Sequence, residues 1–431
     1  MGTITTNPLH DVKALSEQSK GVRRKGVKQT AHEDPYRWEC RTGDARSIVL
    51  MGSGLLADGW IDTGTPQHIV TDEPTWKAHG DRVTAALTTA GTDFTVYVAP
   101  SREEGFTSGV VVGLYYRVPS AVPEGATVVG FGAWWTLAVA GSVARRARDG
   151  EGVPWVRVGT SLAGLLSGTA DLRPRLDHPS LGKEPGDVGL YPPVVSYADP
   201  ALLVPALSSV GGLAALLQVA VALDDGLFGL LKDNRSAIAS GWWTSGNVPG
   251  LLARALDKLL RDRWADPTGE QPHPPSRVGS LLTGDLARRS AVPLGVARSV
   301  DLAHVVALAV AQGVVSRGYA ARVYGLMDYF GMPCTDPALS RTQKPGVISG
   351  VVLPDGKGGA VAGLPTTMEM FAQAGEKLFG TPDGDMPGTD AEDEPEGEPG
   401  ADAEDEPETE TAAETKADSG DETGAEPVTE T

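Results

Sequence analysis

The hydrophobic pattern of this chain changes period once, and that change limits the possible folds more than any motif does. Up to about Pro119 the apolar segments are short, rich in Val, Ile, Tyr and Thr, and bounded by Gly, Pro and Asp; they are residues 47–51, 67–72, 93–99 and 109–118. Segments of that length and composition read as strands. The third alternates, with Phe94, Val96 and Val98 on one side, and residues 100–108 are expected to join it to the fourth as a hairpin. After residues 126–132 the period becomes helical. Trp134, Leu137, Ala138 and Ala144 mark one apolar face, and Arg145, Arg146 and Arg148 stand where cations favour a helix C-terminus.

The rest is mostly helix, after a Pro- and Gly-rich stretch at 149–198 with one strand near 155–158. Residues 202–231 are apolar, Leu252, Leu256, Leu259, Leu260 and Trp264 follow helical spacing behind Pro249, and 299–330 stops at Gly331. Residues 346–363 read as a hairpin turning at Asp355 and Gly356. The expected fold class is α+β, with a β-rich N-terminal part, a predominantly α-helical C-terminal part and a disordered acidic C-terminal tail. The expected organisation is a flexible N-terminal arm at 1–45, a β-rich part with one helix at 46–198, a mainly helical part at 199–380 and the tail at 381–431.

Charge separates that tail from the rest. Of a net charge of −19, residues 381–431 hold 20 acidic groups and one lysine, Lys416, which leaves 36 charges of each sign on the body. The one basic cluster, Arg23, Arg24 and Lys25 with Lys28, is too small to release many counterions, so sequence-specific nucleic-acid binding is not expected. Cys40 and Cys334 are far apart and read as free thiols of a reducing compartment. The first twenty residues lack the apolar core of a signal peptide, so the chain is not expected to be secreted. Residues 201–223 carry no charge, but Pro205, Gly211, Gly212 and acidic flanks favour buried helices over a membrane span.

No motif for chemistry survives its local context. Gly52, Gly54 and Ala57 follow a strand, with Asp72 downstream, in the outline of a dinucleotide turn. Gly59, Gly64 and Pro66 interrupt the helix that this turn needs. A second pair, Gly130 and Gly132, does precede a helix, but Trp135 occupies the third small position. Ser180 and Lys183 lie among Pro179, Gly182 and Pro185, which exclude a helix between them. The seven histidines do not pair at metal-ligand spacing, and His304 reads as a core histidine. Asp224 with Asp225, and Asp257 with Asp262, read as a helix end and a solvated face. The expectation is therefore no catalytic residue, no cofactor and no metal. Two tryptophan pairs, Trp134 with Trp135 and Trp242 with Trp243, remain as candidate interface residues. Adjacent side chains on a helix point about 100° apart, so one indole of each pair suits an interface or a ligand wall. Packing of both in different layers of a large core is the alternative.

The helical half, in LLVPALSSVGGLAALLQVAVALDD and DLAHVVALAVAQGVV, resembles in texture the coat proteins of fungal double-stranded RNA viruses, the totivirus-like group. That resemblance implies a non-enzymatic capsid subunit enclosing double-stranded RNA, found in the virion and host cytoplasm, whose partner is itself. It would form a homo-oligomer, with an icosahedral shell among the forms allowed, and would not engage membranes. A neutral body with an acidic tail suits a shell that does not grip its duplex. Two other classes stay open: a small-molecule or dinucleotide-binding enzyme of a GC-rich bacterium, and an acidic-tailed adaptor or chaperone-like protein.

Because residues 381–431 contain almost no apolar side chains to bury, truncation after Gly380 should leave the melting temperature unchanged within error. Solubility should fall as the net charge approaches zero. Calorimetry of the two forms checks this, and a large loss of melting temperature would contradict it.

Overall fold

Strands that are buried on both faces read as unbroken apolar runs, and three segments of this chain are buried along their whole length. They are Gln67–Asp72, Thr127–Gly132 and Trp155–Gly159. The computed structural model describes, with short gaps, residues 3–6, 36–55, 64–106, 113–174, 190–265, 294–335 and 347–374. Its main sheet comprises Thr3–Thr6 (β1), Tyr36–Thr42 (β2), Ala45–Met51 (β3), Gln67–Asp72 (β4), Phe94–Ala99 (β5), Thr127–Gly132 (β6), Trp155–Gly159 (β7) and Val195–Ala198 (β8). Their order is β1-β2-β3-β8-β7-β6-β4-β5. β1 and β2 run antiparallel to their neighbours, and the six strands from β3 to β5 in this order pair in parallel.

Parallel neighbours need crossover connections. Helix α1, Glu73–Ala90, provides the crossover from β4 to β5. Asp72 caps it by accepting a hydrogen bond from Thr75 N, a proline stands in its first turn, and Gly91 ends it in the left-handed region at φ 70°. Helix α2, Trp134–Arg146, joins β6 to β7. Val83 and Leu87 of α1 pack with Ile69, Val129 and Val156, whereas Val139 and Val143 of α2 pack with Val70, Val128 and Trp155. Side chains alternate along a strand, so α1 and α2 cover opposite faces.

This corrects the α+β expectation. The protein is a mixed α/β structure with a parallel-rich sheet. Strand texture up to Pro119 conceals α1, whose buried stripe is only Thr75, Gly80, Val83 and Leu87. The expected strand at 109–118 falls mostly outside the described residues, as do the basic cluster at 23–28, the Ser180–Lys183 spacing and the tail.

The helices of the second half are Val210–Ala222 (α3), Gly226–Asp233 (α4), Arg235–Ala239 (α5), Val248–Ala265 (α6), Leu294–Ala311 (α7) and Arg317–Tyr329 (α8), followed by the hairpin of Val352–Pro354 (β9) and Ala360–Ala362 (β10). One apolar core runs from Trp38 and Met51 on the sheet, through Leu162 and Leu166, to α3, α6, α7, α8 and Leu353 of the hairpin. α3 is buried at nearly every position. It lies against α7 at Gly211 and Gly295, where a Cβ on Gly211 would stand 2.9 Å from the Gly295 Cα. Helices apolar almost all round are thus covered within one subunit and need no neighbouring copy for cover. Among the described residues no helix is long and apolar enough to cross a membrane.

Asp224, at the end of α3, is 8% exposed and fixes α6: Arg254 donates to it through Nε at 2.6 Å and Nη2 at 2.7 Å, and Lys258 Nζ lies 3.6 Å away. Burial pushes the carboxyl up, but the Arg254 hydrogen bond and the two cations outweigh burial and hold it below its ordinary value. A depressed folded pKa stabilises above the unfolded value and is lost as pH falls through the folded one. Asp224→Asn should therefore cost about 1–2 kcal/mol at pH 7, where Arg254 is half exposed and solvent screens the pair. That difference from wild type should vanish in strong acid, as measured by urea denaturation across pH.

Candidate functional site

Open parallel sheets bind ligands outside the carboxyl ends of their strands, where the chain reverses its direction of travel across the sheet. Here that point lies between β4 and β6. From β4 the chain moves outward to β5, and it then returns to β6 on the other side of β4 before continuing to β7 and β8. β4 and β6 pair from Gln67↔Thr127 to Thr71↔Phe131, so Asp72 and Gly132 end side by side.

Asp72 is fully buried and closes this crevice from below. Its carboxylate accepts from Thr75 N at 3.0 Å, Ala133 N at 2.9 Å and Thr136 Oγ1 at 2.7 Å. A Cβ on Gly132 would overlap that carboxylate and Thr136, so glycine is required there. Thr160 N donates to Gly132 O at 2.9 Å, and the Thr75 and Thr160 hydroxyls are 2.7 Å apart. The π-helical turn Gly164–Gly168 follows, with Ser161 Oγ accepting from Gly164 N at 3.0 Å. π-turns inside helical segments recur at functional sites. α2 enters the crevice with Ala133 as its N-cap, no capping side chain and no acidic residue in its first turn. Its start is met from inside the protein by the Asp72 carboxylate, through Ala133 N and Thr136 Oγ1.

Beside that first turn is a small, partly open hollow bounded by Trp134, Leu137, Arg157, Asp171, Arg173 and Pro174. Arg157 is 2% exposed, and its Nη atoms donate to the carbonyls of Gly168, Thr169 and Asp171. Arg263 from α6 pairs with the Asp171 carboxylate and donates to Ser167 O at 3.2 Å. Burial, together with the positive charges of Arg298 and Arg157, pushes the Arg263 guanidinium down to about 10. Arg157, Arg173 and Arg263, from separate stretches of sequence, thus stand about Asp171, whereas Arg298 faces Asp301 and adds its charge to the field at Arg263. Arginines in such a place are suited to pairing with an anion at the protein surface.

The residues singled out from sequence fall as follows. The Gly52–Leu55 turn is closed by Asp199, which accepts from Leu55 N at 2.9 Å and from Gly54, so its amides face a carboxylate of the protein's own. Gly130 and Gly132 stand at the switch point, and the close helix approach is made there rather than at Trp135, which packs against Ala133 and Val204. Trp134 lines the arginine cleft. Trp243 is buried and Trp242 is 61% exposed, well away from both features in sequence. Asp257 receives Trp38 Nε1 at 3.0 Å. Cys40 is pushed up to about 12 by burial and by Asp257, and Cys334 up to about 11, so both thiols stay protonated. His304 Nδ1 is 2.8 Å from Val300 O, and burial lowers its pKa. His10, His32, His178 and His273 lie outside the described residues. Sequence reasoning missed Asp72 as a site organiser and the arginine cleft altogether. A local signal existed for the first: Asp72-Glu73-Pro74 is a helix start placed directly after a strand.

No family model matches the chain. Among curated proteins it is similar to a 2-epi-5-epi-valiolone synthase of an Actinomyces species, 26% identical over 301 residues that cover 66% of this chain and 77% of that protein. It is also similar to the 3-dehydroquinate synthase of Pelobacter propionicus, 22% identical over 63% of this chain and 76% of the relative. Among solved structures it is similar to a 2-epi-5-epi-valiolone synthase from Streptomyces hygroscopicus with NAD+ and Zn2+ bound, at a TM-score of 0.66 and 21% identity over 82% of this chain and 98% of that one. A 2-deoxy-scyllo-inosose synthase complexed with carbaglucose-6-phosphate, NAD+ and Co2+ aligns at a TM-score of 0.60 and 14% identity, over 78% and 97%. The fold is that of these synthases. The expectations of a totivirus-like capsid protein, of a virion location and of a non-enzymatic chain are thereby overturned: the similar proteins are enzymes, and the apolar helices behind the coat resemblance are the interior of one subunit.

Asp72→Ala removes a helix cap and leaves two further donors buried without an acceptor. It should cost about 3 kcal/mol, whereas Thr136→Val should cost about 1. Denaturant titration of the two variants checks the ranking; equal, small effects would mean that the carboxylate does not organise the crevice.

Proposed function

We propose that the chain is an NAD-dependent cyclase acting on a phosphorylated sugar, a specific form of the dinucleotide-binding enzyme that the sequence left open. The observation that carries this reading is that the switch-point crevice and the arginine cleft share the first turn of α2, with Trp134 belonging to both. A dinucleotide site and an anion site within one side chain of each other are what such a reaction needs. The similarity to synthases, two of which were solved with NAD+, supports it.

The residues present fit a dinucleotide. The chain turns from β6 into α2 at the carboxyl end of the parallel strands, where an open sheet takes a dinucleotide, and Gly132 leaves room for the Asp72 carboxylate that fixes this turn. When bound, NAD would supply a reversible acceptor of hydride from a sugar carbinol. In this reading Arg173 meets the substrate phosphate, Arg263 holds the Asp171 carboxylate in place, and the indole of Trp134 forms the apolar wall between sugar and dinucleotide. A metal ion fits less well. Among the described residues no group of three or more His, Cys, Asp or Glu side chains stands together, and Asp224 is committed to Arg254 and Lys258. No step is therefore assigned to a metal.

Calorimetric titration with NAD+ should show saturable binding at one site per chain. Incubation with a panel of hexose and heptulose phosphates plus NAD+ should convert at least one of them to a cyclised product, identified by mass spectrometry, without net accumulation of NADH. Absence of both binding and conversion would overturn the proposal.

A further inference from the structure

Among the described residues Arg157, unlike Arg263, has no carboxylate partner. Its guanidinium is 2% exposed and donates to carbonyls alone: Thr169 O at 3.0 Å, Asp171 O at 2.8 Å and Gly168 O. It also stacks over the ring of Trp155, whose centroid is 4.7 Å away. Its Nε is buried with no hydrogen-bond partner among the described residues. Burial pushes this group down to about 9, which reflects how costly an unpaired guanidinium is at this depth. Burying a charge without a compensating anion is among the most expensive burials a fold can make. Here it stands on β7 directly beneath the cleft that Arg173 and Asp171 line.

The three carbonyls it holds belong to the segment that leaves the π-helical turn and delivers Asp171 and Arg173. Asp171 in turn sets Arg263, and Trp134 Nε1 reaches the second Asp171 oxygen at 3.4 Å. Arg157 thus controls two things: the main-chain course of 168–171, and a standing positive charge under the cleft that the arriving ligand can offset. A cation donating to carbonyls at the end of a helical turn is also favoured by the dipole of that turn.

We propose that Arg157 is a positioning residue for the anionic end of the ligand, giving the cleft its preference for a phosphate group while making no contact with the dinucleotide. This rests on the cyclase reading for the identity of the substrate, but not for the anion preference itself. It is the charge and the carbonyl clamp together that matter, so lysine should replace arginine in part and methionine not at all.

The test uses the full chain and inorganic phosphate as the probe, with NAD+ titrated separately. Wild type should gain thermal stability with phosphate. Arg157→Met should weaken phosphate binding about tenfold or more, Arg157→Lys by less, and both should bind NAD+ as wild type does. If a substrate is found, KM for the sugar phosphate should rise in Arg157→Lys more than kcat falls. Equal losses of phosphate and NAD+ binding would show a merely structural role and overturn the proposal, as would phosphate binding unchanged in a folded variant. Should Arg157→Met fail to fold, the phosphate and NAD+ titrations of Arg157→Lys decide the question by the same criteria. Phosphate and NAD+ binding without turnover of any sugar phosphate would count against the cyclase reading alone, because the role of Arg157 is decided by the phosphate titration.

Discussion

The carboxylate of Asp72 is the point on which the ligand-facing edge of this sheet depends. It ends β4, caps α1 and ties down the turn from β6 into α2, so one buried anion sets the starting positions of two helices on opposite faces. The cost of burying it is offset by three donors, two of them main-chain amides that would otherwise be orphaned at helix starts. Gly132 follows from the same contact, since any side chain there would displace the carboxylate. The crevice is thereby fixed before any ligand arrives, as a site that must hold a reacting group in register should be.

The helical half has a different role. Its helices bury their apolar surfaces on one another and on the far end of the sheet, in a core continuous with Leu162 and Leu166 beside the π-turn. That continuity brings Arg263 of α6 to Asp171 and Ser167. The anion cleft is thus assembled from strand, loop and helix, and its geometry is only as rigid as the packing between the two halves of the chain.

Particular residues explain what the sequence revealed and what it concealed. Strands β3, β4, β5 and β7, helix α6 and the hairpin at Asp355 and Gly356 are legible because each carries its own period or turn chemistry. Helix α1 is not, because its exposed face is polar and Thr75 and Gly80 make up half of its buried stripe. Without that helix no crossover joins β4 to β5, and the switch point stays hidden. Gly130 and Gly132 were visible, but a fixed glycine fingerprint gives weight to Trp135 when the close contact is made at Gly132. The arginine cleft had no local signal at all: Arg157, Arg173 and Arg263 come from a strand, a loop and a helix, and only the fold unites them. The coat resemblance rested on real helices whose apolar character has an internal cause.

The central claim is that the edge formed by Asp72, Gly132 and the first turn of α2 holds a dinucleotide, with an anion site beside it. A crystal structure grown with NAD+ and phosphate tests this most directly. The expected result is pyrophosphate density at the carboxyl ends of β4 and β6, beside the start of α2, and a phosphate at Arg173. Dinucleotide density at the Gly52–Leu55 turn, or an empty crevice in crystals where NAD+ is bound elsewhere, would contradict it.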